Sequence, residues 1–207
     1  MKNIFFLFTI FSLPFVALSQ DVDDDDLPRF SIFGGAAIPV GDFGDNSISN
    51  ANSGLATTGF SLGMEATAPV DETVRIPITF LYASNTMDDQ ITQNTGIEVG
   101  SYSNIFALIG IQFINQSSSK TRFFLAMQGG ALFSTFPDMS YGSQTISGSS
   151  GQSLAYSIGA GLIFNNKVKL DGRLVGGKPE FTISNGGNSL TGKQPISLAI
   201  FSLGIFL

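Results

Sequence analysis

The chain contains no cysteine, no histidine and no tryptophan, and only 13% of its residues are charged. Each shortage excludes a class of chemistry. Without cysteine there is no disulfide framework, no thiol nucleophile, no lipid-modified anchor and no cysteine zinc site. Without histidine there is no imidazole to act as catalytic base or metal ligand. Ten Lys and Arg stand against 16 Asp and Glu, for a formal net charge of −6, so no basic footprint for nucleic acid exists. A soluble domain normally carries about 25% charged residues, and this chain has roughly half that solvating supply.

What is present is apolar and glycine-rich: 43% hydrophobic residues and 24 glycines in 207. The first segment is a targeting signal. Met1-Lys2-Asn3 supplies a positive start, Ile4–Val16 is almost wholly apolar, and Ala17-Leu18-Ser19 offers small residues at the spacing a signal peptidase reads. The apolar run is 13 residues, short of the roughly 20 that a membrane-spanning helix requires. Residues 1–19 are therefore expected to be a cleaved signal peptide and 20–29 an acidic periplasmic leader. The leader's Asp21, Asp23 and Asp25 alternate as at the start of a calcium loop. Its glycine is replaced by Asp26 and its bidentate Glu by Ile32, so a solvated acidic run fits better.

From residue 30 to 207 the hydrophobic pattern has period two and no sustained helical period. Eight strand segments are expected: Phe30–Val40, Thr58–Ala68, Val74–Ser84, Tyr102–Ile114, Thr121–Thr135, Ser153–Phe164, Val168–Ile183 and Ile196–Leu207. Their connections alternate in length. Pro69–Thr73, Asn115–Lys120 and Asn165–Lys167 are short. Gly41–Thr57, Asn85–Ser101, Phe136–Gln152 and Ser184–Pro195 are long and rich in Ser, Asn, Gly and Thr. An even number of strands, tight turns at one rim and long loops at the other describe an all-β, eight-stranded, antiparallel up-and-down transmembrane β-barrel.

The alternation is consistent with lipid outside. Phe60, Leu62, Met64, Ala66 and Ala68 share one face of the second segment. Ile105, Ala107, Ile109, Ile111 and Phe113 share one face of the fourth. A soluble barrel also alternates, with its apolar face inward. It needs charge for its wet face, and segments four, six and eight carry none. Pro77 conflicts locally: either the strand bulges there or regular pairing begins at Ile78.

The signal peptide, the opening FSIFGGAAIPVGDFG (Phe30–Gly44) and the terminal ISLAIFSLGIFL (Ile196–Leu207) resemble the small outer-membrane β-barrel family. OmpA- and OmpX-like barrels are its relatives, and the Gly-rich first strand is similar to members common in Bacteroidetes. The resemblance implies a barrel in outer-membrane lipid, inserted by the barrel assembly machinery, with both termini periplasmic. Many members end in an aromatic residue that this machinery reads; this chain departs from that, ending Phe206-Leu207.

An eight-stranded barrel is just wide enough for side chains to fill. The inward candidates are Glu65, Arg75, Arg122, Lys169, Asp171 and Arg173, all toward the short-turn rim. Glu65 and Arg75 flank one tight hairpin, close enough for a diagonal contact, and Asp171 and Arg173 share a face two residues apart. A plug of ion pairs is the expectation; a narrow anion-preferring pore is the sharper alternative.

No catalytic residue, cofactor or metal is expected. Asp88, Asp89 and Asp138 are lone loop carboxylates, and Asp42-Phe43-Gly44 is turn chemistry. The loops, with Ile97, Phe136, Met139 and Tyr141 scattered among polar residues, are candidates for a surface partner. The expectation is thus a monomeric, exported barrel of structural or porin-like type. The competing possibility is a soluble exported β-barrel holding a small apolar ligand.

Overall fold

The structure, a computed structural model, describes residues 30–47, 49–88, 97–115, 120–142, 144–146, 148–185 and 188–207. The expected signal peptide and acidic leader lie outside the described residues, as does Asp89.

Eight strands close into one antiparallel barrel: β1 (Phe30–Pro39), β2 (Gly59–Pro69), β3 (Val74–Thr86), β5 (Ser101–Ile114), β6 (Thr121–Thr135), β9 (Ser150–Phe164), β10 (Val168–Gly177) and β13 (Ile196–Phe206). Chain order is wall order, and the seam forms between β1 and β13, where Gly35 faces Ser202 and Ser31 faces Phe206. Leu207 N donates to Phe30 O at 3.0 Å, so the two ends of the barrel segment lie side by side on the short-turn rim.

The tight turns follow from local chemistry. In the β9–β10 turn, Asn165 and Asn166 both take positive φ, 51° and 55°. Lys167 N closes the turn on Phe164 O at 2.9 Å. Two successive left-handed residues match the twist of the flanking strands, and Asn tolerates them through its short polar side chain. In the β2–β3 turn, the Asp71 carboxylate accepts hydrogen bonds from Thr73 N at 2.7 Å and Val74 N at 2.8 Å.

Burial alternates along every strand. Outward residues are mostly apolar and exposed, with Leu62 at 56%, Ile109 at 54% and Phe201 at 60%. Inward residues are buried. Strand β3 runs through Pro77 without a bulge: Arg75–Gln112 and Ile78–Ile109 lie in one continuous register. Pairing lapses only at Ile76 and Pro77 and only toward β5, since Pro77 still sits opposite Thr67 of β2. The missing N–H therefore interrupts one side of one strand locally, and the barrel keeps eight strands.

Two expectations about boundaries change. The seventh segment does not run to Ile183: β10 stops at Gly177, two residues before Pro179, which has no N–H to donate to a continuing ladder. Beyond it, β11 (Glu180–Asn185) pairs with β12 (Asn188–Lys193) as a separate hairpin. The second and third long connections also carry structure: β4 (Ile97–Val99), β7 (Met139–Tyr141) and β8 (Gln144–Ile146) form a three-stranded sheet over the long-loop rim.

Candidate functional site: the filled lumen

Small residues on the inner wall make room for large ones. A Cβ on Gly63 would run into the Phe33 ring, and one on Gly161 would lie 2.6 Å from the Phe124 ring. Phe33 and Phe124 therefore reach into the lumen across glycines, the small-against-large fit of a narrow barrel.

Around these rings lies a charged layer. Strand β10 presents Lys169, Asp171 and Arg173 at alternate positions, all buried, while β2 presents Glu65. Lys169 Nζ donates to Glu65 Oε1 at 2.5 Å, and Arg173 Nη2 reaches Glu65 Oε2 at 3.4 Å. Arg173 Nε donates to Asp171 Oδ2 at 2.6 Å. Thr79 of β3 donates its hydroxyl to Glu65 Oε2 at 3.0 Å and accepts from Gln128 Nε2 of β6 at 2.8 Å. The chain of contacts thus runs from β10 through β2 and β3 to β6, straight across the lumen. Both cations also sit against aromatic faces: Lys169 Nζ lies 4.7 Å from the Phe124 centroid, and Arg173 Cζ 5.1 Å from that of Phe33.

Of the six inward candidates, the structure brings together Glu65, Lys169, Asp171 and Arg173. Arg75 is buried nearer the short-turn rim, opposite Pro69. The register puts Glu65 opposite Thr79, with the Thr67–Pro77 pair between it and Arg75, so the two do not face diagonally. Arg122 points inward half-buried at the rim. Thr79 and Gln128 complete the layer and were legible only as polar residues on the inward parity of their strands.

Apolar layers close the lumen on either side. Toward the short turns, Ile114, Phe124, Ala126 and Ile163 cluster against Phe206. Toward the long loops, Leu81, Phe106, Leu108, Leu132, Leu198 and Ile200 are essentially inaccessible to solvent. An aromatic chain lies over them. Phe43 and Tyr102 pack edge-on at 4.9 Å, Tyr102 and Phe136 at 5.4 Å, and Phe136 and Phe181 at 5.7 Å. Tyr102 Oη donates to Gly54 O at 2.9 Å, tying this chain to the first long loop.

The expected loop residues sort accordingly. Phe43, in the Gly41–Phe43 turn, is fully buried, so Asp42-Phe43-Gly44 is both turn and stopper. Phe136 and Met139 pack against the core, whereas Tyr141 is 63% exposed and its backbone pairs with Ile97. Asp138 staples its own loop, accepting from Gly148 N at 2.6 Å. Among the described residues no group of three or more Asp or Glu is arranged to hold a metal ion.

No protein-family model matches the sequence, and no curated protein does. Solved structures do. The outer membrane protein OprG from Pseudomonas aeruginosa superposes with a TM-score of 0.55 at 12% identity, over 90% of this chain and 99% of that one. Ail, the attachment invasion locus protein of Yersinia pestis, superposes at 0.53 with 15% identity, over 87% and 99%. Its complex with the heparin analogue sucrose octasulfate gives 0.52 at the same identity and coverage. At such identities the similarity is one of fold: the chain has the closed eight-stranded barrel of these outer-membrane proteins.

Proposed function

We propose that the chain is an integral outer-membrane barrel whose lumen is sealed, a non-catalytic and non-conducting scaffold that holds its long loops at the cell surface. The observation that carries this reading is the pairing of opposites in one wall. Large apolar side chains are exposed all around the outside, while charged residues are buried inside. In water that arrangement is inverted; in lipid it satisfies both faces. A soluble barrel with an apolar ligand inside would need the reverse, and here the interior is filled by the protein's own Phe, Leu and Ile side chains and an ion-pair layer. Residues 1–19 then serve as the export signal and 20–29 as a periplasmic leader. On this reading the short-turn rim faces the periplasm, as tight turns do in barrels of even strand number, and the chain is a monomer inserted by the barrel assembly machinery.

The test is fractionation and electrophoresis of the expressed protein, followed by planar-bilayer recording. The expected result is an envelope-membrane protein with heat-modifiable migration and no stable unitary conductance. Recovery in the soluble periplasmic fraction overturns the membrane reading. Stable conductance that is lost on changing Arg75 or Arg122 overturns the sealed lumen.

A further inference from the structure

Three cations stand on the short-turn rim beyond the lumen layer: Lys120, Arg122 and Lys167. Lys120 and Lys167 are exposed and Arg122 is half-buried. The described ion pairs join Lys169 and Arg173 to Glu65, Arg173 to Asp171, and Lys193 to Glu180, and take in none of the three. On the other side of β1, the β2–β3 turn carries Asp71 and Glu72. The rim is thus divided, basic over β6, β9 and β10 and acidic over β2 and β3.

Backbone hydrogen bonds connect the basic half to the start of the barrel. Leu207 N donates to Phe30 O at 3.0 Å, Phe206 N to Lys167 O at 2.9 Å, and Asn165 N to Lys120 O at 2.6 Å. With strands about 4.8 Å apart, Lys167 stands about 10 Å along the rim from Phe30, and Lys120 about 19 Å. The chain upstream of Phe30 contains the run DVDDDD at residues 21–26, with five carboxylates. Asp26 is four residues from Phe30 and Asp21 is nine. At about 3.3 Å per extended residue these reach about 13 Å and about 30 Å, which covers both lysines.

We propose that the acidic leader docks on the rim of its own barrel, its carboxylates on Lys167, Arg122 and Lys120. The proposal rests on the reading that residues 20–29 stay attached after export. Charge sets the direction, since the run is drawn to the β9–β10 side and repelled by the β2–β3 turn. Tethering at Phe30 makes this segment the favoured occupant, because a short linker holds it at about millimolar effective concentration. Docked there, it crosses the short-turn mouth below the layer of Ile114, Ile163 and Phe206.

The test uses the exported protein purified from the envelope and placed in phosphatidylcholine nanodiscs. The native chain has no cysteine, so Val22→Cys gives a nitroxide one attachment point without changing charge. Amide NMR is expected to show strong broadening at Lys120 and Lys167 and little at Asp71 and Thr73. Lys120→Gln with Lys167→Gln, both at exposed positions, is expected to lower the docked-to-free ratio by about five- to tenfold, since each exposed ion pair contributes a few-fold at most. Salt at about 1 M, where the screening length is about 3 Å, is expected to act likewise. Reversing both partners, Lys120→Asp and Lys167→Asp with Asp24→Lys and Asp25→Lys, is expected to restore the broadening. Even broadening around the rim, indifference to the glutamine pair or to salt, or a charge swap that restores nothing overturns the docking. So does loss of the broadening when anionic phospholipid is added, because the rim's partner is then a lipid surface. Intact mass shows whether residues 20–29 are present. A chain lacking them fails the export reading, whereas a chain that keeps them undocked fails this proposal alone.

Discussion

Lys169 and Glu65 meet at 2.5 Å although β1 and β13 stand between their strands in the barrel wall. The pair is made across the lumen, so it exists only once the barrel has closed. Burying two charges is costly, and their attraction repays the cost only while both partners are present. Glu65→Gln is expected to destabilise the inserted barrel by about 3–5 kcal/mol, the usual penalty for orphaning a buried charge. Adding Lys169→Met should recover part of the loss. Urea unfolding followed by the gel-migration shift measures both, and a single variant as stable as wild type would contradict the assignment.

Lumen packing makes a sharper prediction from glycines. A methyl group at Gly63 meets the Phe33 ring and lies 2.8 Å from the Phe80 carbonyl, while one at Gly129 meets nothing closer than 3.9 Å. Gly63→Ala is expected to cost about 1–3 kcal/mol through overpacking. Gly129→Ala should be close to neutral. The same unfolding assay ranks them, and equal effects would mean the inner wall is not tightly filled.

The exposed belt predicts a depth-dependent penalty. Met64 lies midway along β2 with its side chain outward and 48% exposed. Met64→Arg is expected to destabilise the protein in bilayers by about 2–4 kcal/mol, the cost of a cation near the midplane. In a soluble protein the same change on an exposed residue would be nearly silent, so the measurement also discriminates location.

Tyr102 links the aromatic chain to the first long loop through its bond to Gly54 O. Tyr102→Phe keeps the ring contacts and removes that one bond, a loss of about 0.5–1.5 kcal/mol. Hydrogen exchange should quicken around Asn50–Gly54 and remain unchanged in β5. Unchanged protection of the loop would mean that the hydroxyl does not hold it.

Acid should loosen the β2–β3 turn. The Asp71 carboxyl is held below its usual range by the Thr73 and Val74 backbone N–H groups and the Thr73 hydroxyl. A depressed folded-state pKa means the stabilisation is present above the ordinary carboxylate value and is lost as pH falls through the lower, folded one. Side-chain NMR titration of Asp71 should give a midpoint below that of an unstructured Asp. In Asp71→Asn the acid-dependent change at this turn should vanish.

The strands, their faces and the two unequal rims were legible in the sequence because period-two alternation is local. Phe60, Leu62 and Met64 reveal their shared side without reference to any neighbour. Tight turns likewise depend on a few adjacent residues, as Asn165 and Asn166 show. Segment seven misled because apolar residues resume at Phe181 and Ile183 after the Gly176–Glu180 break, which reads locally as an interruption within one strand and in the structure divides wall from hairpin.

By itself, then, the sequence determined an exported-looking, eight-stranded, lipid-compatible pattern without histidine or cysteine chemistry, all of it encoded in short-range order. The tertiary structure decided which charges meet. Glu65 turned from the nearby Arg75 to Lys169 and Arg173 more than a hundred residues away. It also turned Phe43, Phe136 and Met139 inward as stoppers, although they read as loop residues. Barrel closure brings distant strands to opposite sides of one narrow lumen, and contacts across that lumen depend on register and circumference, which no local pattern carries.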